Sequence, residues 1–101
     1  MALMLGIDLG TSGVKTLAVN HQGEVLASHS VLYDLIQPQP GWSEQSASDW
    51  WQAVIQSIQG VLASDAVNAN EVAALALSGQ MHGSVFLNKA GDVIRNPLLW
   101  N

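Results

Sequence analysis

The sequence contains no cysteine, which excludes both a disulfide framework and any thiolate metal site. Positive charge is nearly as scarce. Lys15, Lys89 and Arg95 stand against eight carboxylates, and the net charge is −5. Three scattered cations make no basic footprint, so neither nucleic acid nor an anionic membrane surface is an expected partner. No apolar run approaches the roughly 20 residues of a membrane span. The apolar start, Met1 to Leu5, is short and lacks the basic flank of a secretory leader. Together these absences lead us to expect a cytoplasmic protein.

Charge of either sign is thin. Charged residues make up 11% of the 101 positions, where soluble domains carry about 25%. Hydrophobic residues make up 49%. The length allows one small domain with a core near the marginal end of stability. With so little polar surface, the chain is expected to belong to a larger fold or to hide one face in a homo-oligomer.

What is present reads as alternating strands and turns around one helix. Leu3 to Ile7 is a continuous apolar run closed by Asp8, suited to a strand buried on both faces. Gly10, Thr11, Ser12 and Gly13 form a tight turn that no helix would contain. Val14 to Val19 reads as a second strand, Asn20 to Glu24 as a hairpin turn around Gly23, and Val25 to Leu32 as a third strand. Residues 33 to 45 hold Pro38, Pro40 and Gly41 and read as a loop, since proline is excluded from a central strand. Ser46 and Asp49 resemble a capping box, with Asp in place of the usual Glu or Gln. The following Trp51, Val54, Ile55, Ile58, Val61 and Leu62 predict an apolar helical stripe ending near Ser64. Val72 to Leu77 reads as a second fully buried strand, reached through a helical crossover and so paired in parallel. Ser84 to Leu87 and Val93 to Ile94 complete the order β-β-β-α-β-β-β. The fold class is α/β, a mixed sheet with a crossover helix on a face. Parallel pairing of the Leu3 and Val72 strands places Asp8 and Gly79 to Gly83 at one carboxyl edge, where open α/β sheets bind ligands.

Two segments could carry chemistry at that edge. In Asp8-Leu-Gly-Thr-Ser-Gly13, a carboxylate precedes a turn rich in glycine and hydroxyl groups. Closely spaced backbone N–H groups and the hydroxyls of Thr11 and Ser12 suit phosphate oxygens, and Asp8 suits Mg²⁺. No Walker A sequence occurs, and an ordinary hairpin uses the same residues. In Gly79-Gln-Met-His-Gly83, two glycines let the backbone approach a ligand closely, and Gln80 and His82 can hydrogen-bond sugar hydroxyls. A β-bulge with a satisfied histidine and a core Met81 is the plain alternative. Glu44 reads as a surface carboxylate ahead of the helix, and Trp50 and Trp51 as packing residues. Trp42 reads as an anchor of the proline loop. Trp100 could offer its ring to a sugar face. His21 and His29 are given no function; Lys15 could reach a phosphate but reads first as a solvated strand residue.

In order and spacing these segments resemble the FGGY family of carbohydrate kinases over the whole chain. The matching stretches are Gly6 to Lys15, Gly41-Trp-Ser-Glu-Gln45, Trp50-Trp51, Ser78 to Gly83 and Leu99-Trp-Asn101. The first motif also occurs in glycerol kinases, whereas Gln-Met-His-Gly resembles the xylulokinase branch. The resemblance implies an actin-like, ribonuclease H-like fold of two domains that close over ATP and sugar. Residues 1–101 match only the N-terminal part of the first. By the same resemblance Asp8 is a catalytic and metal-positioning residue, and Gly10, Thr11 and Ser12 belong to the ATP phosphate turn. Gln80, Met81, His82 and Trp100 belong to the sugar pocket. The implied reaction is ATP- and Mg-dependent phosphorylation of a ketopentose, D-xylulose foremost. The base is an aspartate further along, so the chain alone is expected to be inactive. Another FGGY or actin-like ATPase, or a non-catalytic sugar-binding or assembly module, would be the alternatives. Ligand titration separates them, because sugar binding without ATP binding marks the module.

Overall fold

The computed structural model describes residues 2–40, 43–79, 85–97 and 99. Strands β1 (Leu3–Leu9), β2 (Gly13–Asn20) and β3 (Val25–Leu32) form the expected antiparallel meander. Helix α1 (Ala47–Leu62) crosses over to β4 (Val72–Ser78), which pairs in parallel with β1. The sheet order is β3-β2-β1-β4. Strands β5 (Phe86–Leu87) and β6 (Val93–Arg95) pair with each other in a separate ribbon instead of extending that sheet.

Local chemistry explains the joints. Gly23 adopts φ 83°, and the Asn20 side-chain oxygen accepts from the N–H groups of Gln22 and Glu24, both at 3.0 Å. The β2–β3 hairpin therefore closes on an Asx-type turn. Ser46 caps α1 by accepting from the Asp49 N–H at 3.2 Å. The loop before the helix is more ordered than its prolines suggest. Ile36 and Glu44 exchange two backbone hydrogen bonds of 2.7 Å across Pro38 and Pro40, and both prolines lie between the paired residues.

The core lies between α1 and one face of the meander. Leu3, Leu5 and Ile7 of β1 and Val14, Thr16 and Ala18 of β2 are buried there, against Ala53, Ser57 and Val61 of the helix. These helix residues follow one another at i+4, so they form one stripe. Trp51 falls on its flank and is 65% exposed, which corrects its reading as a packing residue. At the centre of the interface the Thr16 and Ser57 hydroxyls meet at 2.7 Å, both fully buried.

The apolar runs are not buried on both faces, contrary to the sequence reading. In β1 only alternate residues are inside, and Met4 is exposed. In β4 Leu75 and Leu77 are 55% and 66% exposed, although in register they stand beside buried Leu5 and Ile7. The cause is geometric. The helix lies chiefly over β2 and β3, so its cover thins toward the fourth strand, of which Val72 alone is packed against the core.

Candidate functional site

The parallel β1–β4 pair brings Asp8 beside Ser78 at the carboxyl edge of the sheet. The Ser78 hydroxyl donates to Asp8 Oδ1 at 2.9 Å. Asp8 is exposed, and Lys15, its register partner across β2, is exposed beside it. The strand therefore delivers one carboxylate to the open side of the sheet, opposite the helix.

The turn after Asp8 is held from behind. The Gly10 N–H donates to the Gly13 carbonyl at 2.9 Å. The Tyr33 hydroxyl shares its proton between the Gly10 and Gly13 carbonyls, at 3.0 Å from the latter. The Tyr33 N–H donates to the Ser12 carbonyl at 3.2 Å. The Thr11 carbonyl accepts from the Gln45 side-chain amide, Nε2. Each carbonyl from Gly10 to Gly13 is thus occupied by a donor of the protein itself. Among the described residues no acceptor faces the N–H groups of Thr11 and Ser12. Gly13 is required for this closeness, because a Cβ there would lie 2.5 Å from the Val31 carbonyl oxygen. Among the described residues the turn thus leaves the Thr11 and Ser12 N–H groups without a hydrogen-bond acceptor, close in sequence to an exposed carboxylate.

Of the site residues expected from sequence, Asp8, Gly10, Thr11 and Ser12 come together at this edge, with Ser78 and Gly79 adjoining. Gln80, Met81, His82 and Trp100 lie outside the described residues, as does Trp42. His21 and His29 are exposed. Among the described residues no three His, Cys, Asp or Glu side chains cluster as a metal site, and no helix is long and apolar enough to cross a membrane.

Tyr33 and Gln45 were not singled out from the sequence, although they are the turn's main supports. Tyr33 is the single tyrosine of the chain and sits directly after β3, a position that could have pointed to it. Gln45 is fully buried and accepts from Trp50 Nε1 at 2.9 Å, so Trp50 does serve packing around the turn. Glu44 is corrected. It is buried, not a surface carboxylate, and pairs with Arg95 at 2.7 Å. Its partner lies 51 residues away in sequence, beyond the reach of any local pattern.

The chain resembles known proteins along its whole length. The N-terminal domain of the FGGY family of carbohydrate kinases matches residues 3–101. A xylulose kinase of Bacillus subtilis (strain 168) is 45% identical over 101 residues, which is 100% of this chain and 20% of that protein. The solved structure of a xyloylose kinase from Brucella ovis superimposes with a TM-score of 0.92 at 36% identity, over 98% of this chain and 21% of that one. A ligand-bound xylulose kinase from Lactobacillus acidophilus gives 0.89 at 27% identity, over 99% and 20%. The chain therefore spans about a fifth of the length of the relatives that it matches.

Proposed function

We propose, because this chain belongs to the FGGY family of carbohydrate kinases, that it is the opening part of an ATP-dependent kinase converting D-xylulose to D-xylulose 5-phosphate. The observation that carries this reading is the turn after Asp8, whose carbonyls are all engaged from behind and whose amides flank an exposed carboxylate. The similarity to xylulose kinases, over nearly all of this chain and about a fifth of theirs, supports the choice of sugar.

In this reading residues 1–101 form part of the first of two domains, and the base and the adenosine site belong to polypeptide beyond them. Gly10, Thr11 and Ser12 receive the phosphates of ATP through backbone N–H and hydroxyl donors. Asp8 suits Mg²⁺, which takes one or two carboxylates and fills its other positions with water and phosphate oxygens. Ser78 donates to Oδ1, and among the described residues the second oxygen of Asp8 has no hydrogen-bond partner. When bound, the ion neutralises charge on the transferring phosphoryl group. Gln80, Met81, His82 and Trp100 bind the sugar, and an aspartate further along takes the proton of its 5-hydroxyl. The kinase acts in the cytoplasm as a homo-oligomer. The chain by itself is inactive.

The test is Asp8→Asn in the intact kinase. Turnover should fall by about 10²-fold or more, because the carboxylate serves charge that develops in the transition state. The Michaelis constant for D-xylulose should stay within a few-fold. Turnover close to the parent's would remove Asp8 from the mechanism. An intact protein that binds sugar but never turns over ATP would favour the binding module instead.

A further inference from the structure

The Thr11 carbonyl is held by a side chain that comes from far along the chain and is itself held. Gln45 is fully buried just before α1. Its Nε2 donates to the Thr11 carbonyl, and its Oε1 accepts from the Trp50 indole N–H at 2.9 Å. The Gln45 backbone N–H also donates to the Pro97 carbonyl, at 3.4 Å. The carboxamide is thereby fixed in one orientation, since the indole can only donate and so demands the oxygen end. The nitrogen end must then face Thr11.

A trans peptide is planar, and its N–H points opposite to its C=O. The described residues contain no cis bond. Drawing the Thr11 carbonyl toward Gln45 therefore turns the Ser12 N–H away from it. Ser12 is exposed, and its N–H meets no acceptor among the described residues. If the Thr11–Ser12 peptide flipped, a carbonyl oxygen would take the place of that donor, and an anion there would meet a partial negative charge. Tyr33 anchors the carbonyls of Gly10, Ser12 and Gly13. Among the described residues, Gln45 is the donor that holds the Thr11 carbonyl.

We propose that Gln45, oriented by Trp50, is a positioning residue that keeps the Thr11–Ser12 peptide with its N–H toward the phosphates. This rests on the kinase reading above, and it adds a residue that touches neither sugar nor phosphate.

The experiment uses Gln45→Met in the intact kinase, which keeps the shape of the side chain and removes the donor. Trp50→Phe provides a second variant, removing the indole N–H that orients the carboxamide. Three quantities are read: ATP affinity by calorimetry, kcat against the sugar Michaelis constant, and hydrogen exchange of the 9–14 segment without nucleotide. Gln45→Met should lower kcat/KM for ATP by about ten-fold in all, shared between weaker ATP binding and lower kcat, the worth of one hydrogen bond at the upper end of its range. Exchange at residues 11–13 should quicken, while the sugar Michaelis constant stays within about two-fold of the parent. Trp50→Phe should give the same pattern at smaller amplitude, and it carries the test if Gln45→Met does not fold. A folded variant with all three readouts at parental values overturns the proposal. A parent enzyme that phosphorylates no sugar overturns the kinase reading instead, and quickened exchange in the variant would still support the positioning role.

Discussion

Thr16 and Ser57 allow a double-mutant cycle whose outcome follows from which hydroxyl has a second partner. Both are fully buried at the helix–sheet interface, 2.7 Å apart. Ser57 also donates to the Val54 carbonyl at 2.9 Å, so its proton is committed and Thr16 is the donor between the two. Thr16→Val removes that donor and leaves Ser57 with its helical partner. The loss should be one net hydrogen bond, about 0.5–1.5 kcal/mol. Ser57→Ala strands the Thr16 hydroxyl with no partner among the described residues, which costs about 1–3 kcal/mol. Alanine's higher helix propensity offsets about 0.5 kcal/mol of it. The double variant leaves no orphan and should be nearly neutral, which requires a coupling equal to the two single costs together, about 2–3 kcal/mol at mid-range. Urea unfolding of the intact kinase, followed by tryptophan fluorescence, gives all four corners. Strict additivity, or a Ser57→Ala cost below that of Thr16→Val, would refute the assignment of donor and acceptor.

Gly13→Ala should destabilise by about 1–3 kcal/mol, the range for overpacking. The new Cβ would lie 2.5 Å from a backbone oxygen of β3, which cannot swing aside as a side chain can. An unchanged urea midpoint would show that β2 and β3 have slack there. The isolated 101-residue chain should self-associate, because Leu75 and Leu77 stand uncovered beyond the helix and Met4 is exposed on the other face. Sedimentation velocity showing a monomer at high concentration would contradict this.

Much of the fold was legible because it is written in local chemistry. Gly23, the Ser46 cap and the apolar stripe each announce an element through its own backbone demands. The crossover through α1 was enough to imply the parallel pairing of β4. The degree of burial was not legible, since apolar Ala74 to Leu77 looks the same whether its cover comes from this chain or from elsewhere. At the carboxyl edge of the sheet, the strand end at Asp8 and the turn after it were legible because strand-end acid and clustered glycine are a local pattern. The supports were not. Gln45 meets Thr11 across 34 residues, Tyr33 meets Gly10 across 23, and Glu44 meets Arg95 across 51. Their roles depend on tertiary placement, and their residue types fit many surface loops equally well.

The parallel neighbour of β1 also sets an order in time. The meander and α1 close over short stretches of chain, whereas Asp8 finds Ser78 only across 70 residues. Closing so long a loop costs entropy that the hairpins avoid, and non-local pairings of this kind slow folding. During synthesis, residues 3–62 can assemble while β4 is still unmade. Pulse-labelled hydrogen exchange that found β4 protected as early as β2 would contradict this order. The edge that carries the carboxylate is thus the last part of the sheet to be finished, and a nascent chain halted before Ser78 displays the turn without the strand that steadies Asp8.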